Sequence, residues 1–230
     1  MKIGRSIRRT KLEKEWEAEG PFAGCDEVGV SAVAGKLLAC ALILPAGLKI
    51  KGVRDSKLVP THKERLAIAE EIKKVAIDYS FGWVEPEEVS NLGTFKASIL
   101  AMERAVKGLK KIPSLVVTDF HKLDLPDGIH QVNMVKADRK IFSVAAASIL
   151  AKATRDTYMK KLHEKFPMYG WDTGVGYRTR RQWEALREYG LSPHHRVKYA
   201  TVWSKKQVVE YKRQRGKHAK VRQSAGEVLG

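Results

Sequence analysis

Only two cysteines occur in 230 residues, Cys25 and Cys40, and both lie in apolar, strand-like runs. Two thiols lack the number and spacing of a disulfide framework or a zinc site, so both are expected to be reduced and buried. No apolar run approaches the roughly 20 residues that a membrane-spanning helix needs, and no membrane partner is expected. The basic stretch 1–11 has no apolar segment behind it and does not read as a secretory signal; a cytoplasmic protein is expected. Internal repeats and low-complexity linkers are also absent.

Acidic residues are scarce, 26 against 43 Lys and Arg, and the formal net charge of +17 points to a polyanionic partner. The excess is concentrated at the ends. Residues 1–11 carry five Lys/Arg and no acid, and residues 205–230 carry eight against Glu210 and Glu227. Both ends lack apolar periodicity and read as mobile extensions that add phosphate contacts without sequence information.

Between them, the apolar patterning predicts strands over 22–26 and 35–44 as an antiparallel hairpin, then strands over 76–84, 114–119 and 129–135. Helices are expected from Pro60, over 94–109 with Phe95, Ile99, Met102, Ala105, Val106 and Leu109 on one side, over 142–165, and over 178–189 closed by Gly190. Pro86 reads as the stop after the third strand. This order fits an α/β layer fold, a mixed five-stranded sheet flanked by helices with a helical C-terminal extension.

The few acids fall in telling places. Asp26 and Glu27 follow the first apolar run, Asp119 ends a short apolar strand, and Asp138 opens the long helix. Adjacent carboxylates on a half-buried strand leave at least one charge in need of compensation. Taken singly each acid reads as a turn or cap residue, and Asp138 as a helix N-cap. Together, at strand and helix ends, they can converge on one crevice. Carboxylates without His or Cys companions suit hard divalent cations, and two such ions can clamp the attacking and leaving oxygens of a phosphoryl displacement. Asp26, nearest the sheet centre, is the acid expected to serve both ions.

The run Gly24-Cys25-Asp26-Glu27-Val28-Gly29, then Asp55-Ser56-Lys57, Asp119, Lys136-Ala137-Asp138, the block 145–156, Gly176-Tyr177-Arg178-Thr179 and His195-Arg196 resembles type 2 ribonuclease H, the ribonuclease HII family, over residues 20–203. The resemblance implies an RNase H-like fold and a monomeric endonuclease acting in DNA replication and repair. It would cut the RNA strand of RNA/DNA hybrids, or duplex DNA at an embedded ribonucleotide, and leave 5′-phosphomonoesters. The cofactor it implies is a pair of Mg²⁺ or Mn²⁺ ions held by Asp26, Glu27, Asp119 and Asp138. Lys57 matches the family's phosphate-contacting lysine and Tyr177 the tyrosine that stacks on the sugar at the RNA-to-DNA junction.

One block departs from the pattern. Where the family carries Gly-Arg-Gly as the clamp on the 2′-hydroxyl, this chain has Gly29-Val30-Ser31, and a weakened preference for single embedded ribonucleotides is expected. The implied organisation is a basic extension over 1–19, a catalytic domain over 20–165, a helical substrate-binding segment over 166–204 and a basic tail over 205–230. The rival readings are a hybrid-binding module that no longer cuts and a related nuclease with another substrate. His194 and His195 read as fasteners of the C-terminal segment rather than as ligands.

Overall fold

The computed structural model describes residues 7–200; the tail 205–230 and the first six residues of the N-terminal extension lie outside the described residues. Five strands, β1 (Phe22–Val28), β2 (Leu37–Ile43), β3 (Asp78–Val84), β4 (Leu115–Asp119) and β5 (His130–Met134), form one mixed sheet in the order β3-β2-β1-β4-β5. β1 is central. It pairs antiparallel with β2, as the hairpin expectation has it, and parallel with β4, which itself runs parallel to β5.

Strand periodicity builds two cores. Leu38, Cys40 and Leu42 of β2 pack under α2 (His62–Val75) and the long helix α5 (Phe142–Lys165). Leu37, Ala39, Ala41 and Ile43 pack instead under α4 (Thr94–Lys107). β2 is therefore buried on both faces, which is why its sequence reads as a continuous apolar run. Both cysteines are buried and unpaired. Among the described residues, no helix is long and apolar enough to cross a membrane.

α5 owes its close seat to Gly24. A Cβ at that position would stand 2.5 Å from the Ser143 carbonyl carbon and 2.6 Å from the Val144 nitrogen, so only glycine lets the helix backbone rest on β1. Alanine-rich turns of α5 continue the contact.

Several elements differ from the sequence expectation. Asp26 and Glu27 lie inside β1, since pairing with β2 carries the strand on to Val28. Pro86 does stand past the end of β3, but it also opens a helix, α3 (Pro86–Leu92), as its first residue. Phe95, expected to face the core, is 58% exposed, because α4 begins beyond the edge of the layer that covers its later turns. Ahead of the sheet, α1 (Lys11–Glu19) is an ordered helix inside the stretch read as a basic extension.

α1 is fastened by Glu13. Its carboxylate accepts the Thr10 amide (3.0 Å) while Thr10 Oγ1 accepts the Glu13 amide (3.1 Å), a capping box. The same carboxylate, fully buried, also accepts the Phe142 amide (2.8 Å) and so caps α5. At the other end of the chain, α6 (Trp171–Gly174), α7 (Arg180–Tyr189) and α8 (Val197–Ala200) close a smaller core around Trp171 and Met159. His195 joins that core: it accepts the Ser192 amide (2.9 Å), meets Gln182 (3.1 Å) and packs on Tyr169.

Candidate active site

Alternation along β1 sends Asp26 and Glu27 to opposite faces. Asp26 stands opposite Cys40, which belongs to the α5 core, and Glu27 opposite Ala39, which belongs to the α4 core. On the α5 side Asp26 receives a hydrogen bond from the Ser148 hydroxyl, and Ser148 meets Ser56 Oγ at 3.0 Å. Burial pushes the Asp26 carboxyl well above the ordinary carboxylate range. The charge of Glu27 adds to the rise, the Ser148 bond opposes it, and Asp138 and Asp119 raise it further. Asp26 thus feels all three other acids.

Asp119 ends β4 one step beyond the register pair Cys25 and Thr118, which sets it beside Asp26. One of its oxygens accepts the Ala137 amide (3.2 Å), tying the strand to the 3-10 turn Ala137–Arg139. That turn holds Asp138, buried, four residues before α5 begins. Asp138 is therefore not the cap of the long helix, a place taken by Glu13. Burial raises its carboxyl, the charges of Asp119 and Asp55 raise it further, and Lys57 and Arg139 pull it down. Asp55 itself pairs with Arg139 at 3.0 Å and accepts the Lys57 amide at 2.9 Å.

Glu27 stands apart on the α4 side, with Oε1 3.7 Å from His121 Nε2 and Oε2 buried without a hydrogen-bond partner. Among the described residues, no three His, Cys, Asp or Glu side chains stand ready as a metal cage. The donor chemistry nonetheless fits a hard divalent cation: every donor is a carboxylate, one oxygen is orphaned, and Asp26 is a buried carboxyl crowded by like charge.

The loop 29–35 and the turn bearing Tyr177 form one unit beside these acids. Gly29 has φ +88°, and a Cβ there would stand 2.2 Å from Arg155 Nε. Arg196, fully buried, donates to the carbonyls of Gly29 (2.6 Å), Val30 (3.1 Å), Ala32 (3.0 Å) and Gly35 (2.9 Å). Arg155, also buried, donates to Ala34 (3.1 Å), Lys36 (2.9 Å) and Val175 (3.0 Å). The Gly176 carbonyl accepts the Val33 and Ala34 amides, and Tyr177 lies under the guanidinium of Arg155 and the ammonium of Lys152. Val30 packs partly into the α4 core and Ser31 is exposed. The Ser56–Ser148 relay, His121 and Arg155 carry no role in the sequence reading, whereas the His195-Arg196 pair, expected to fasten the C-terminal segment, ties it to residues 29–35 through Arg196. Hydroxyls and arginines that bond to backbone leave no periodic or compositional signal.

The profile of the family described as Ribonuclease HII matches residues 23–202. The Ribonuclease HII of Bacteroides thetaiotaomicron is 41% identical over 177 residues, a span of 77% of this chain and 88% of that one. The structure is similar to that of ribonuclease H2 from Pyrococcus horikoshii, with TM-score 0.69, 25% identity, and 84% and 99% of the two chains covered. Bst-RNase HIII, solved in complex with Mn²⁺, shares the fold at TM-score 0.62 and 19% identity, over 83% of this chain and 70% of that one.

Proposed function

The chain belongs to the ribonuclease HII family and is a type 2 ribonuclease H; from that premise we propose a cytoplasmic, monomeric endonuclease that hydrolyses the RNA strand of RNA/DNA hybrids and leaves 5′-phosphomonoesters. The observation that carries the reading is the crowding of Asp26 by three further carboxylates at one end of the central strands. Asp26, Glu27, Asp119 and Asp138 are the groups that would hold two divalent ions, Mg²⁺ or Mn²⁺. Such ions, when bound, activate water and stabilise charge on the departing oxygen.

The protein's own groups prepare that chemistry. Ser148, backed by Ser56, keeps a hydrogen bond on Asp26 that favours its ionised form against burial. The Ala137 amide holds Asp119, and the turn it belongs to brings Asp138 alongside. Lys57, exposed and close enough to Asp138 to lower its carboxyl, would meet a phosphate of the substrate. Tyr177 offers a ring face to a sugar, and residues 166–204 belong with the substrate-binding surface. Two buried arginines fix Gly29 and its neighbours, so the backbone of the clamp loop is held while Val30 supplies no guanidinium. Hybrids are cut on this reading, with a weakened preference for a single embedded ribonucleotide.

Purified full-length protein incubated with labelled hybrid, embedded-ribonucleotide duplex, plain DNA and plain RNA, in Mg²⁺, Mn²⁺ or EDTA, tests it. Cleavage of the hybrid in either metal and none in EDTA is expected. Binding of hybrid without cleavage in both metals would leave only a binding module, and cleavage of plain DNA or RNA at the hybrid's rate would mean another substrate.

A further inference from the structure

β4 delivers Asp119 and then turns sharply through Phe120, whose φ of +68° lies in the left-handed region. His121 N–H donates to the Asp119 carbonyl at 2.8 Å, and the Thr118 hydroxyl donates to the His121 carbonyl at 2.6 Å. A bond across two residues around a centre of positive φ is the rare, strained form of γ-turn. Glycine takes such a turn without steric cost. The position holds instead an aromatic ring that is 60% exposed. Strain at a large residue beside a catalytic group is the kind of outlier from which function is inferred.

A second ring shares the place. His121 lies between Phe120 and Phe95, with ring centroids 5.5 Å and 5.1 Å away, while its Nε2 faces Glu27 at 3.7 Å. Phe95 is 58% exposed. Two apolar ring surfaces therefore flank His121 where it faces Glu27 on the α4 side, accompanied in sequence by the exposed Lys96 and Lys122. Neither aromatic ring serves the core.

Bases inside a duplex are covered by their neighbours, so rings on a fixed protein surface meet sugars, whose C–H faces are open in the minor groove. A phenyl ring has no strong hydrogen-bonding group to offer a 2′-hydroxyl, and burying that hydroxyl unpaired is costly. A deoxyribose brings no such group. Resting on the reading of the chain as a nuclease that acts on hybrids, we propose that Phe95 and Phe120 form a contact surface for deoxyribose faces of the DNA strand beside the cleavage point. The surface selects the DNA strand by the absence of a hydroxyl.

Fluorescence anisotropy of the full-length protein in EDTA, with a labelled RNA/DNA hybrid and an RNA duplex of the same sequence, tests this. Phe120→Gly relieves the turn and Phe95→Ala keeps a helix-favouring residue, so each is expected to melt no lower than the parent protein. Each should weaken hybrid binding about tenfold, roughly 1.4 kcal/mol, and leave the RNA duplex nearly unaffected. If both variants bind hybrid as the parent does, or lose equally on both duplexes, the contact surface is wrong; if one folds poorly, the other decides. A parent protein that neither binds nor cuts hybrid would instead remove the premise.

Discussion

Ser148 shows how much one hydroxyl can govern. Among the described residues its hydrogen bond is what favours the charged carboxylate of Asp26, against burial and three like charges. Ser148→Ala is expected to raise the half-saturating concentration of divalent ion about tenfold, the usual scale for groups that orient a ligand. Titration of Mn²⁺ by calorimetry, beside titration of the cleavage rate, reads that shift directly. His195 answers a different question. Burial pushes its imidazole down to about 3, from an ordinary value of about 6.5. Between those values the unfolded chain takes up a proton that the folded chain refuses, so stability contributed at neutral pH is lost as pH falls, by about 1.4 kcal/mol per unit. Asp26 and Asp138, whose carboxyls are raised, act in the opposite sense above the ordinary carboxylate range. The histidine's share is therefore the difference in urea-unfolding free energy between the parent protein and His195→Gln, expected to narrow from pH 7 to pH 5. At this scale the acids were legible because carboxylates beside apolar runs demand compensation. The turn at Phe120 was not, since its strain arises from one hydrogen bond that no composition encodes.

Among the elements, α5 depends on its seat and its cap. Gly24→Ala should drive the helix off β1 and cost about 1–3 kcal/mol or more, the range for overpacking, seen as a lower urea midpoint. Glu13→Ala removes the acceptor shared by Thr10 and Phe142 and leaves buried amides unpaired. A loss of about 1–3 kcal/mol is expected, equivalent in a chain of this size to a melting temperature lower by roughly 3–10 °C. The five strands were legible because burial on one or both faces writes itself as alternation or as a continuous apolar run. α1 was not read, although Thr10 and Glu13 spell a capping box, because its charged face hid it among the basic residues around it. α3 was not read because a proline stops one element and starts the next with the same side chain. Helical periodicity placed Met102, Ala105 and Val106 correctly and Phe95 wrongly, since spacing says which face a residue is on and not where the covering layer ends.

For the whole molecule, the net charge of +17 has its largest consequence in binding. Removal of residues 205–230 takes away eight cationic side chains and is expected to weaken hybrid binding and flatten its dependence on salt, with turnover at saturation little changed. Binding isotherms at several salt concentrations, with the rate at saturating substrate alongside, separate those effects; a large loss of turnover would give the segment a structural or catalytic part. The layer architecture was legible from the order of strands and helices. The joining of residues 29–35 to Tyr177 was not, because two buried guanidiniums make that joint through carbonyl groups contributed by distant parts of the chain.

The span matched by the family profile begins at residue 23, yet the carboxylate that closes the start of α5 belongs to residue 13. A version pruned to the matched span would keep every acid proposed for chemistry and still begin its longest helix with bare amides. Shortening this enzyme for expression or crystallisation should therefore stop ahead of Thr10.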